Sequence, residues 1–129
     1  MKLVLDTSII IDYLRGGNLW GNLLAKVDKT SVFYIPTIVI YELFSGKSTR
    51  NTKVTEKINI FLKYFERIEL TEKIAKQAGQ LYRDRGQAGA LDYIIAASAL
   101  DIGATVVTLN KKHFQQIPTF LLYPLMPEF

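Results

Sequence analysis

Cysteine is absent from the 129-residue chain, which excludes a disulfide framework, a cysteine-type zinc site and a thiol nucleophile. The same absence suits a reducing compartment. No uninterrupted apolar run reaches the roughly 18–20 residues of a membrane span. The longest candidates are broken by Glu42, Asp92 and Asp101. The N-terminus, Met1-Lys2-Leu3-Val4-Leu5-Asp6, lacks the basic region, apolar stretch and small-residue cleavage site of a secretory signal. Together these absences predict a cytoplasmic protein with no membrane association. Repeats and low-complexity tracts are also missing. What is present is a globular composition, 49% apolar and 22% charged, unlike that of disordered chains, and it predicts one domain over residues 1–129. Sixteen Lys and Arg against twelve Asp and Glu give a net charge of +4, a weak pointer to a polyanionic partner.

Along the chain, short apolar runs alternate with helical spacing. Leu3–Leu5 predicts a strand, and Asp6-Thr7-Ser8 can cap a helix running through Ile9, Ile10 and Leu14 to Gly16-Gly17. A helix is expected around Leu19–Val27, a strand over Val32–Ile35, and a helix over Thr37–Ser45 that Pro36 opens and Gly46 stops. The polar, basic stretch Gly46–Lys53 predicts a mobile loop, followed by an amphipathic helix with Val54, Ile58, Phe61, Leu62 and Phe65 inward. Ile68–Leu70 predicts a short strand, Thr71 caps a helix through Ile74, Ala78 and Leu81, and Gly86–Gly89 reads as a break. Then come a helix over Leu91–Ile102 stopped at Gly103, a strand over Thr105–Thr108, a turn at Lys111–Phe114 and a last strand near Phe120–Tyr123. The tail to Phe129, punctuated by Pro118, Pro124 and Pro127, suits covering a sheet edge or meeting another chain. Trp20 and the tyrosines read as core or interface residues, since no ordered aromatic stripe supports base stacking. Strands this short and apolar, alternating with helices, predict a parallel sheet covered on both faces, with the functional crevice beyond the strands' carboxyl ends.

Three carboxylates stand in apolar surroundings. Asp6 closes Leu-Val-Leu, Glu42 interrupts the run from Ile38 to Phe44, and Asp92 sits within Ala90-Leu91-Asp92-Tyr93-Ile94-Ile95. Taken singly, Asp6 and Asp92 also suit helix caps or first-turn charges, and Glu42 a pair with a lysine. Asp6, Asp92 and Asn110 each fall near a strand end or helix start, so they are expected to converge at one end of the sheet. Two carboxylates about 4 Å apart repel by roughly 4 kcal/mol at an effective dielectric of about 20, so three ionised together call for a cation. Oxygen-only donors suit Mg²⁺ or Mn²⁺, which bridge to phosphate oxygens, and the chemistry implied is phosphodiester hydrolysis.

The opening LVLDTSIIIDYLRG, the glutamate within IPTIVIYELFSGK, the LDYIIAASAL helix and the late TLNKKHF segment, in that order, resemble the PIN domain. Within it they resemble the VapC-type toxin ribonucleases of toxin–antitoxin pairs. The resemblance implies an α/β, PIN-like three-layer sandwich with a central, mostly parallel β-sheet flanked by helices. It also implies a Mg²⁺- or Mn²⁺-dependent endoribonuclease acting on RNA, a homodimer, and a small antitoxin whose tail enters an acidic groove. By position, Asp6, Glu42 and Asp92 match the family's first three acidic residues and Asn110 its late asparagine. The fourth acidic place departs from the pattern: before Phe114 stands His113, the only histidine, where the family usually has Asp. Histidine suits Mn²⁺, or a hydrogen bond to water or phosphate, better than it suits Mg²⁺.

On this reading Asp6 and Asp92 hold the metal, and Glu42 is a further ligand or orients the attacking water. Thr7, Ser8 and Thr108 carry hydroxyls suited to orienting those carboxylates or touching phosphate, and equally to capping. Asp12 reads as solvated. Lys47 and Arg50 are candidate substrate contacts in a cluster with Lys53 and Lys57, while Arg15 and Lys111 lie near other loops of the site; such cations imply contact with phosphate only. The competing function is a catalytically weak PIN-type RNA-binding or ribosome-associated module. A haloacid-dehalogenase phosphatase needs a second Asp where Ser8 stands, and a receiver domain needs its acids and lysine in another order.

Overall fold

The computed structural model of the chain describes residues 1–86, 89–115 and 122–125. Four strands, β1 (Lys2–Leu5), β2 (Val32–Pro36), β3 (Glu66–Ile68) and β4 (Thr105–Val107), form one parallel sheet in the order β3-β2-β1-β4. Among the described residues seven helices flank it: α1 (Thr7–Leu14), α2 (Leu19–Lys26), α3 (Thr37–Ser45), α4 (Thr52–Leu62), α5 (Glu72–Arg85), α6 (Ala90–Ile102) and α7 (Lys111–Gln115). The fold is the α/β sandwich expected from the alternation of runs.

β1 lies inside the sheet, paired with β2 on one side (Leu3 opposite Phe33) and β4 on the other (Leu3 opposite Thr105). Covered on both faces, it has no polar side to show, and Leu3, Val4 and Leu5 are all fully buried. The chain builds outward from β1 through β2 to β3, then returns across β1 to lay down β4. The reversal of strand order therefore falls between β1 and β4, where open α/β sheets form their ligand crevice at the strands' carboxyl ends.

Packing fixes the layers around that crevice. α6 buries Tyr93, Ile95, Ala96, Ala97, Ser98 and Ala99, and the run of small side chains lets it lie close on its neighbours. The buried Ser98 hydroxyl is satisfied by donating to Ile94 O at 2.7 Å. Elsewhere the core is aromatic. Trp20 meets Phe33, Phe61 and Phe65 with ring centroids 4.9–5.4 Å apart, and Tyr13 stacks on Phe61 at 4.0 Å. Trp20 is thus a core residue.

The structure departs from the sequence expectations in several places. Gly46–Lys53 is not a loose loop: a 3₁₀ turn over Lys47–Arg50 is tied back by the Thr49 hydroxyl to Gly46 O, and α4 already begins at Thr52 with Asn51 as its cap. β3 covers Glu66–Ile68 rather than Ile68–Leu70. It is an edge strand that buries only Ile68, so apolar spacing does not mark it, while Leu70 is exposed. Lys111–Phe114 belongs to the short helix α7. Of the last predicted strand, Leu122 bridges to Val106 and Phe120 lies outside the described residues, as do Pro118, Pro127 and the middle of the Gly86–Gly89 break.

Candidate active site

Asp6 is where β1 becomes α1. Its backbone N–H donates to Val107 O of β4 at 3.2 Å, and its side chain caps α1 by accepting from Ser8 N at 3.1 Å. The carboxylate is 3% exposed and holds three hydrogen bonds: Oδ1 accepts from Ser8 N and the Ser8 hydroxyl, and Oδ2 from the Thr108 hydroxyl. Each hydroxyl in turn accepts from a backbone amide of the segment after β4. Leu109 N donates to Ser8 Oγ at 3.0 Å and Asn110 N to Thr108 Oγ1 at 2.9 Å.

This pattern fixes the protons. An amide can only donate, so each hydroxyl receives from the chain and has its single hydrogen left for the carboxylate. Asp6 is surrounded by donors that are all satisfied when it is ionised. Burial pushes its carboxyl above the ordinary aspartate range, the bonds from Ser8 and Thr108 draw it back down, and the charge of Asp92 adds to the rise. One lone-pair position on Oδ2 carries no bond.

Glu42, on α3, is half-buried, and its Oε1 accepts from the Thr7 hydroxyl of α1 at 2.9 Å. Its carboxyl is likewise pushed up, first by burial and further by the charges of Asp92 and Asp6, while the Thr7 bond opposes the shift. Asp92 occupies the first turn of α6, where the helix dipole favours an anion. Its Oδ2 lies 3.2 Å from His113 Nδ1 of α7. The three acids thus act on one another electrostatically. Among the described residues, however, no three His, Asp or Glu side chains are gathered into a single metal cage.

The donors fit a hard divalent ion even so. All are oxygens, one carboxylate is buried with an open lone pair, and Mg²⁺ takes only one or two carboxylates directly while keeping several waters. Asp6, Asp92 and Glu42 are the groups that would hold such an ion.

The remaining candidates are arranged around this centre. Asn110 takes part through its backbone, and its side chain is exposed at a cleft with Ser8, Ile11, Asp12 and Arg15. Glu42 faces a second cleft of about 420 Å³ that Gly46 and Ser48 also line. Lys47 and Arg50 stand on that 3₁₀ turn, exposed, without lining the cleft. Lys57 donates to Leu14 O and lies over the Tyr13 ring, and Lys111 donates to Leu125 O. Asp12 is not merely solvated: its Oδ2 accepts from Leu19 N at 3.3 Å, at the start of α2. The amides of Leu109 and Asn110 escape sequence reading altogether, since they bear no side-chain signature.

Known proteins resemble this chain in sequence and fold. The profile of the PIN domain family matches residues 3–119. Ribonuclease VapC2 of Rickettsia felis is 32% identical over 129 residues, covering 95% of this chain and 96% of that protein. Ribonuclease VapC19 of Mycobacterium tuberculosis is 32% identical over 123 residues, covering 92% and 95%. Among solved structures, VapBC2 from Rickettsia felis bound to a DNA fragment from its promoter superposes with a TM-score of 0.81 at 28% identity, covering 95% of this chain and 98% of that one. DNA-bound VapBC from Salmonella typhimurium shares the fold, with a TM-score of 0.81 at 23% identity over 95% and 97% of the two chains. With matches along nearly its whole length, the chain belongs to the PIN domain family and to its VapC type.

Proposed function

We propose that this chain is a divalent-metal-dependent endoribonuclease, a single PIN domain over residues 1–129 and the toxin of a toxin–antitoxin pair in the cytoplasm. The observation that carries the reading is Asp6. It is a buried carboxylate fixed by two amide-fed hydroxyls, with Glu42 and Asp92 near enough to add their charge. The relatives named as VapC ribonucleases support RNA as the substrate.

The ion, Mg²⁺ or Mn²⁺, supplies Lewis-acid charge that activates water and neutralises the phosphate. The chain's own part is positional. Ser8 and Thr108 fix the Asp6 carboxylate, Thr7 fixes Glu42, which would be a further ligand or orient the attacking water, and Asp92 takes its orientation from the first turn of α6 and from His113. Asn110 closes the Thr108 contact, and Lys47 and Arg50 approach the RNA backbone from the 3₁₀ turn. Structures of VapBC complexes as near neighbours support a small antitoxin partner, and we infer that the working unit is a homodimer.

Purified protein incubated with RNA and Mg²⁺ or Mn²⁺ tests this. Cleavage is expected to stop with chelator and in Asp6→Asn and Asp92→Asn, with the circular dichroism spectrum kept. Retained cleavage in either variant overturns the assignment. One observation favours a second reading: His113 stands where the family usually has an acid and pairs with Asp92. RNA bound but never cut at any divalent-ion concentration would select a binding module instead.

A further inference from the structure

We propose that Arg15 is the principal anchor for the RNA backbone beside the cleavage site, and that it grips a flanking phosphate rather than the scissile one. The inference rests on the ribonuclease reading and adds to it the path of the substrate.

Two clefts flank the exposed face of α1. One, of about 420 Å³, is lined by Glu42 and Leu43 of α3 and by Ile58 of α4, and the other, of about 310 Å³, by Ser8, Leu109 and Asn110. Ile11 and Arg15 line both. Arg15 is exposed at the end of α1, and it forms no ion pair among the described residues. Of the nearby lysines, Lys57 donates to Leu14 O and Lys111 to Leu125 O. A third cleft shares Leu109 and Asn110 with the second and runs on to Lys112 and His113 of α7. The clefts are thus neighbours that share lining residues, with Arg15 common to the two beside α1 and the exposed Lys112 lining the third. A planar five-donor fork in such a place suits a phosphate, which it can bind with two parallel hydrogen bonds.

Position decides which phosphate. Ser8 and Arg15 are seven residues apart on one face of α1, about 10 Å along the axis. An ion at Asp6 and a phosphate at Arg15 thus belong to different nucleotides. Arg15 then acts on binding of a chain long enough to reach it and leaves the chemical step alone.

The experiment uses the full chain. With Asp6→Asn to prevent cleavage, a fluorescent single-stranded oligonucleotide is expected to bind about tenfold more weakly when Arg15→Ala is added, with the salt slope of log Kd reduced by about 0.7. Arg15→Lys restores part of the affinity, while Lys63→Ala, on an exposed residue outside the clefts, changes neither quantity. In otherwise unsubstituted protein, Arg15→Ala raises KM for the oligonucleotide and spares kcat, and turnover of a dinucleotide is unaffected. Unchanged affinity and salt slope overturn the proposal, even if a small protein partner is lost instead, as does equal damage to dinucleotide and oligonucleotide. Failure of the unsubstituted protein to cut RNA counts against the ribonuclease reading, and it is seen before any Arg15 variant is made.

Discussion

Asp6 shows how a buried carboxylate is held in place by an arrangement of hydrogens. The Ser8 and Thr108 hydroxyls stand between it and two backbone amides, and removing the Thr108 hydroxyl takes the bond from both Asp6 Oδ2 and the Asn110 N–H. Thr108→Val, nearly the same shape, is expected to cost about 1–3 kcal/mol in urea unfolding and to depress cleavage. Glu42 offers a test through pH. Its folded-state pKa lies above the ordinary value of 4.5, so between those two values the native protein holds more protons than the unfolded chain. Stability contributed by this group therefore falls as pH rises through that window. Glu42→Gln keeps the acceptor for Thr7 and removes the charge. In chelator it should melt about 1–3 °C above the parent at pH 7 and at the same temperature near pH 4. Thermal scans across that range measure the difference. The acids themselves were legible in the sequence because each sits in apolar company. Their proton wiring was not, because Asp6 and Thr108 meet only once residues 102 positions apart are brought together.

The connection between α1 and α2 carries a device that sequence reading passed over. Asn18, at the cap position of α2, makes no capping bond, and the carboxylate of Asp12 reaches across to Leu19 N in its place. Gly17 makes room for this, since a Cβ there would lie 2.2 Å from Asp12 Oδ2. Asp12→Ala and Gly17→Ala should each cost about 0.5–2 kcal/mol, the range of a lost cap, and the double variant little more than either alone. A double-mutant cycle in urea decides it; simple additivity would mean the two residues act separately. β3 and the 3₁₀ turn at Lys47–Arg50 were misread for a related reason. An edge strand with one buried residue and a turn held by a threonine hydroxyl leave no hydrophobic period to detect. The strands and helices that bury a continuous face, such as β1 and α6, were the ones the pattern revealed.

At the scale of the molecule, one tryptophan reports on everything. Trp20 is 5% exposed within the aromatic core, so its emission follows global unfolding. Mg²⁺ or Mn²⁺ bound by the folded acids should raise the unfolding free energy read by Trp20 in urea by about 2.7 kcal/mol at a hundredfold excess over Kd. Asp6→Asn should blunt the rise, and an identical response in parent and variant would place the ion elsewhere. The alternation of strands with helices foretold the sandwich and the crevice side of the sheet. Strand order lay beyond reach, because pairing across the sheet is set by contacts between segments far apart in the chain.

The return of the chain to β4 has a consequence during synthesis. While the chain is still growing, β1 and β2 emerge early, but Thr108, which donates to Asp6, follows it by 102 positions. A chain cut short before codon 108 has Asp6, Glu42, Asp92 and Ser8 but lacks the hydroxyl that donates to Asp6 Oδ2. The carboxylate of Asp6 is therefore fully held only once β4 has joined the sheet.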